Sequence, residues 1–134
     1  MKQYLPIEGQ IGSLQMRMMR EARAFLDPML NLGMIQPDAA KQFLMNEVVL
    51  SEPMAKQEVD RYTFDSPGQA TSYFYGFNQL NALRMKVELA QSGKFDQQSY
   101  HDFVIGQGLL PFNLLEKAVM EQYVRPSQPT TSTK

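Results

Sequence analysis

The chain has 134 residues, 13 basic against 14 acidic side chains, one His and no Cys. That length reads as one domain, enough to bury roughly two thirds of its unfolded surface. A net charge of −1 leaves no electrostatic footprint for nucleic acid. Without Cys there are no disulfides or thiolate nucleophiles, and one imidazole cannot build a zinc site that needs two or three.

Residues 1–10 contain Pro6 and Gly9 and read as irregular. A first helix is predicted from Ser13, a good N-cap, to Asp27, with Leu14, Met18, Ala22, Phe25 and Leu26 on its apolar side and Arg17, Arg20 and Arg23 off it. Pro28 disfavours helical geometry at Asp27, so the helix should end or kink there. Its arginines make it basic and Met16, Met18 and Met19 make it Met-rich, which suits a membrane surface, a partner helix or plain packing in a core. Pro37-Asp38 opens a second helix with Phe43, Leu44 and Val48 inward. Ser51-Glu52-Pro53 opens a third, its acidic residue placed where the helix dipole favours it, with Met54, Val59 and Tyr62 inward as far as Thr63.

The longest helical pattern is predicted to start at Ser66, an N-cap, with Pro67 as its first residue. Gln69 falls three residues on and can close a capping box with Ser66. Ala70, Tyr73, Phe77, Leu80 and Val87 then recur at helical spacing up to Ala90. Ser92-Gly93 ends that helix, and Asp96 caps a fifth bearing Tyr100, Phe103 and Val104. Gly106 and Gly108 stop the fifth, and Pro111 opens a sixth with Leu114, Leu115, Ala118, Val119 and Tyr123 on one side. The fold class is therefore all-α, a single domain of about six helices over residues 1–125 with short connections. The Pro-, Ser- and Thr-rich tail 126–134 is expected to be disordered.

Three segments together resemble the C-terminal part of the bacterial family of domain of unknown function 885. The first is Met18-Met-Arg-Glu-Ala-Arg-Ala-Phe-Leu-Asp27. The second is Glu58-Val-Asp-Arg-Tyr62 with Pro67-Gly-Gln-Ala-Thr-Ser-Tyr73, Gly76 and Leu83-Arg84. The third is Phe95-Asp96, His101-Asp102-Phe103, Gly108-Leu-Leu-Pro111 and Leu115-Glu116. That family resembles zinc carboxypeptidases of the Taq type, in which a His-Glu-x-x-His helix and a distant Glu serve a zinc ion. This chain has no His-Glu pair. The resemblance therefore implies a piece that follows the zinc helix, with no metal ligands of its own and no cofactor. Zinc is expected only in a full-length relative. Many relatives carry a His where this chain reads Asn31, which leaves open whether Asn31 replaces a functional group.

The resemblance implies an oxyanion donor at Tyr73, since peptidases of related design use a phenol there. The alternative is a core Tyr completing the stripe. Gln69 is read as a substrate contact or as half of the capping box, and Arg61 as a fork for a peptide carboxylate or as the partner of Glu58. Spacing places Gln69 and Tyr73 on one helical face, with Arg61 a short turn away. Arg84, assigned to substrate, has Glu88 four residues on as its obvious ion-pair partner. His101 is read as structural. The expected activity is that of a peptidase segment, inactive alone. The alternative is a noncatalytic helical module that binds a partner, its own missing N-terminal half or a second copy. No run approaches the ~20 apolar residues a membrane span needs, and nothing in the chain assigns a compartment, although relatives are often exported or lipid-anchored.

Overall fold

The computed structural model describes residues 5–125, so the tail expected over 126–134 lies outside the described residues. Six α-helices follow one another: α1 Ile7–Asn31, α2 Pro37–Asn46, α3 Glu52–Asp60, α4 Thr71–Ala90, α5 Gln97–Gly106 and α6 Phe112–Ala118. Two π-helical turns, Arg61–Asp65 and Val119–Val124, continue α3 and α6. No strand occurs among the described residues, and the fold is all-α as the periodicity predicts.

Contacts divide the chain into two compact units, Met1–Phe77 and Asn78–Lys134, with the division inside α4. The first unit is built on Leu26, Leu44, Val48, Ala55, Val59 and Tyr62, drawn from α1, α2, the α2–α3 connection, α3 and the first π-turn. The second is built on Leu83, Val87, Tyr100, Leu115, Val119 and Val124. In each, apolar residues spaced three and four apart place one face of each helix against its neighbours.

Three expectations about helix limits and faces are corrected. α1 starts six residues before Ser13 and runs through Pro28 to Asn31. Pro28 has no N–H to give the carbonyl of Ala24, and the Thr71 hydroxyl supplies a replacement at 3.5 Å. Below the proline the ladder resumes, with Leu32 N–H donating to the Pro28 carbonyl at 2.9 Å. A tertiary donor thus repairs what local sequence reads as a stop. The buried face of α1 is Met19, Ala22, Arg23, Leu26 and Asp27, whereas Leu14, Met18 and Phe25 are exposed. Stripe and core face differ by a small rotation about the helix axis.

The third correction concerns α4, which begins at Thr71 and not at Pro67. Gly68 sits at φ +80°, in the left-handed region, so Ser66 to Ala70 forms turns instead of a first helical turn. There is no capping box: the Ser66 N–H goes to the Arg61 carbonyl at 2.9 Å and the Gln69 N–H to the Ser66 carbonyl at 3.2 Å, while a distant carboxylate takes those of Gly68 and Ala70. Of the predicted α4 stripe, Ala70 and Val87 are buried, while Tyr73, Phe77 and Leu80 are not, and Leu83 takes the inner position between. Asp96 does cap α5, accepting from the Ser99 N–H at 2.7 Å.

Candidate functional site

The first unit holds two polar constellations that share Tyr62, whose carbonyl accepts from Asn31 and whose hydroxyl donates to Glu58. One starts from Asp27, whose carboxylate is 0% exposed although it sits on an apolar face. A buried charge needs several partners to offset its lost hydration. Asp27 Oδ1 accepts from the Gly68 N–H at 2.7 Å and from Asn31 Nδ2 at 2.8 Å, and Oδ2 accepts from the Ala70 N–H at 2.9 Å. Asn31 Nδ2 also reaches the carbonyls of Asp27, at 2.8 Å, and of Tyr62, at 3.2 Å. The end of α1 is thereby tied to both the π-turn and the turn that precedes α4. A cavity of about 130 Å³ opens beside Asn31, lined by Leu30, Ile35, Gln36, Pro37 and Thr63 among others. No charged side chain lines it.

The second constellation starts from the π-turn, where the Ser66 N–H bonds back to the Arg61 carbonyl at 2.9 Å. Such widened turns are rare and often mark functional positions. Here it puts Tyr62 inside, fully buried, and leaves Arg61 half-buried at the surface. Glu58 receives the Tyr62 hydroxyl at 2.7 Å and Arg23 Nε at 2.7 Å on the same oxygen, while Arg23 Nη2 donates to the other. The Arg–carboxylate pair is bidentate, the strong form of this contact.

Burial alone would raise the Glu58 carboxyl. The hydrogen bonds from Arg23 and Tyr62, with the charges of Arg23 and Arg61, outweigh it and hold Glu58 below its ordinary value. Arg23 moves up: burial opposes the shift, and Glu58 overcomes it. Burial first, then the hydrogen bond to Glu58 and its charge, pushes the Tyr62 phenol well above its ordinary range.

Arg61 is different. Among the described residues no carboxylate lies within ion-pair distance of it. Its Nη2 donates to Gln69 Oε1 at 2.7 Å and to the Tyr73 hydroxyl oxygen at 3.1 Å. The guanidinium carbons of both Arg23 and Arg61 lie 5.5 Å from the centroid of the Tyr73 ring. Guanidinium cations are attracted to the negative face of an aromatic ring, which holds the phenol in place. Tyr73 itself is 43% exposed. With its oxygen accepting from Arg61, the phenol keeps its own proton to donate outward.

Arg61, Gln69 and Tyr73, grouped from spacing alone, therefore meet. Glu58 belongs to Arg23 and not to Arg61, and Gln69 serves Arg61 and not a cap. Arg84 lies in the second unit, where it pairs with Glu88 at 2.7 Å and stacks on Phe95. His101 is exposed beside the Tyr100 ring. The sequence reading passed over Asp27, Arg23, Glu58 and Tyr62 as site residues. The usable signal was register: 19, 22, 23, 26 and 27 follow the i, i+3, i+4, i+7, i+8 pattern of a buried face, and two of those five positions are charged.

What the helices and this cluster define is an all-α protein presenting a guanidinium before α4 and, in the first turns of α4, the phenol that accepts from it. Residues 2–119 match the family described as bacterial protein of unknown function (DUF885), and the chain belongs to that family. No curated protein and no solved structure matches it.

Proposed function

We propose that the chain is the C-terminal helical segment of a peptidase-like, carboxypeptidase-type hydrolase, supplying the substrate side of its site. Tyr73 donates its hydroxyl proton to the substrate oxygen that becomes anionic, and Arg61, steadied by Gln69, receives a peptide carboxylate. The observation that carries this reading is a guanidinium with no carboxylate within ion-pair distance among the described residues, hydrogen-bonded to an exposed phenol. A donor pair of that kind stabilises developing negative charge when fixed beforehand. Arg84 takes no part in it, since Glu88 already balances its charge. Zinc, which the family resemblance implies, does not fit the donors present. Among the described residues no group of three or more His, Asp and Glu side chains can hold a metal ion. The isolated chain is expected to hydrolyse no peptide.

The test is a titration of the full chain with N-acetyl-alanyl-alanine and with its C-terminal amide. The acid should bind in preference to the amide, and Arg61→Ala should abolish that preference, a loss of tenfold or more for a charge-assisted bond. Equal binding of acid and amide would overturn the reading.

The uncovered face of α1 favours a second reading, a noncatalytic interaction module. Ile7, Ile11, Leu14, Met18 and Phe25 are all exposed and fall at alternating four- and three-residue spacing, with Glu21 in the one polar slot. Arg17 and Arg20 flank the same face, so it carries both signs of charge and can complement a second copy of itself. Light scattering decides it: a dimer that Ile11→Glu converts to monomer supports this reading, and a monomer at high concentration removes it.

A further inference from the structure

We infer that Asp27 is the positioning residue of the Arg61–Tyr73 pair, setting the distance between guanidinium and phenol from a helix that touches no substrate. The inference rests on the reading of that pair as a carboxylate and oxyanion site.

Arg61 and Tyr73 come from different elements, the π-turn after α3 and the first turns of α4, joined by five residues from Ser66 to Ala70. That connection holds Gly68 in a left-handed conformation and has one turn bond of its own, from the Gln69 N–H to the Ser66 carbonyl at 3.2 Å, which shapes the turn without tying it to α1. Fixing comes from outside. The Asp27 carboxylate takes the N–H groups of Gly68 and Ala70, which straddle Gln69. Two bonds to one rigid carboxylate determine where the Gln69 side chain leaves the backbone and where α4 begins. On the other side, Asn31 Nδ2 links Asp27 to the Tyr62 carbonyl, next to Arg61 in the chain. One buried carboxylate thus registers both elements against the same turn of α1. Its four oxygen lone-pair sites suit three donors aimed from different directions, which no neutral side chain of that size can match.

Asp27→Asn keeps the shape but places an amide nitrogen against an N–H donor. The comparison is with Val48→Ala, which loosens the same core without touching this network. In the full ¹⁵N-labelled chain, the readouts are the amide signals of Gly68 and Ala70, the Arg61 Nε–H signal, and the Kd for N-acetyl-alanyl-alanine. Asp27→Asn should shift all three signals and raise Kd about tenfold. Val48→Ala should lower Tm while leaving the Arg61 signal and Kd alone. An Arg61 signal and Kd unchanged in Asp27→Asn, or changed equally in Val48→Ala, would overturn the inference. If the wild-type chain shows no preference for the acid, the carboxylate reading falls, and the Arg61 signal alone decides the role of Asp27. If Asp27→Asn does not fold, Asn31→Ala removes the link to Tyr62 together with the Asn31 bonds to Asp27, and leaves the Asp27 bonds to Gly68 and Ala70 in place. It should still move the Arg61 signal, and an unmoved signal there counts against Asp27.

Discussion

Glu58 concentrates most of the charge economy of the first unit on one carboxylate. Its side chain is only 13% exposed and accepts from a guanidinium and a phenol at once. Removing one partner of a nearly buried ion pair leaves the other charge uncompensated, so Glu58→Gln should destabilise the chain by about 3 kcal/mol at neutral pH. The pH dependence follows from the direction of the shift. A carboxyl held below its ordinary value of 4.5 contributes fully above that value and loses its contribution as pH falls through the folded one. Tyr62 works in the opposite sense, because its raised phenol contributes below the ordinary value of 10.0 and is lost as pH climbs beyond it. Tm measured against pH should therefore fall below about pH 4.5 and again above pH 10, Glu58→Gln flattening the first limb and Tyr62→Phe the second.

Tyr73 sets a contrast at the same scale. Its hydroxyl is exposed and already accepts from Arg61, so Tyr73→Phe should leave Tm nearly unchanged. It should still weaken binding of the acetylated dipeptide by about fivefold, the worth of one modest hydrogen bond. A Tm lowered by several degrees would recast Tyr73 as a packing residue. The meeting of Arg61, Gln69 and Tyr73 was legible because all three lie within thirteen residues, although Gln69 sits in the turn before α4 and not on the helical face that the spacing assigned to it. Arg23–Glu58 was not, because its partners are 35 residues apart and depend on how α1 faces α3.

At the scale of elements, the misread limits share one cause. Pro28 and Pro67 are strong local signals, and each was overruled by a contact from far along the chain. Thr71 supplies the bond that Pro28 removes, and after Pro67 the left-handed Gly68 departs from helical geometry in a turn that Asp27 holds through the Gly68 and Ala70 N–H groups. The short connections were easier, since Gly33 and Gly93 sit at positive φ where a turn is needed. Val49 breaks that rule. It adopts φ +60° between α2 and α3, a conformation that strains a β-branched residue by roughly 1–2 kcal/mol. Its side chain is 69% exposed, so little burial offsets the strain. Val49→Asn should raise stability by about 1 kcal/mol in urea unfolding, with no change in the slope. A loss of stability would mean that the Gln15 amide bond to the Val49 carbonyl, at 2.7 Å, depends on the valine.

At the scale of the whole molecule, the all-α class was readable because no stretch alternates with period two and every helix carries an apolar face. The division into two units was not readable. The boundary lies inside α4, and nothing in the local spacing of Phe77 and Asn78 marks a change of core. Two separate cores make a testable statement about cooperativity, because regions with their own buried clusters open with their own free energies. Leu44 is 0% exposed at the centre of the first core, and Val119 is 0% exposed at the centre of the second. Leu44→Ala removes three buried carbons and should cost 2–5 kcal/mol, roughly, of the stability of its own unit. In native-state hydrogen exchange that loss should appear at the slowest amides of α2 and α3, while the slowest amides of α5 and α6 keep most of their protection. Val119→Ala should give the reverse pattern with a smaller loss. Equal loss of protection throughout, from either substitution, would show one cooperative body despite the two cores.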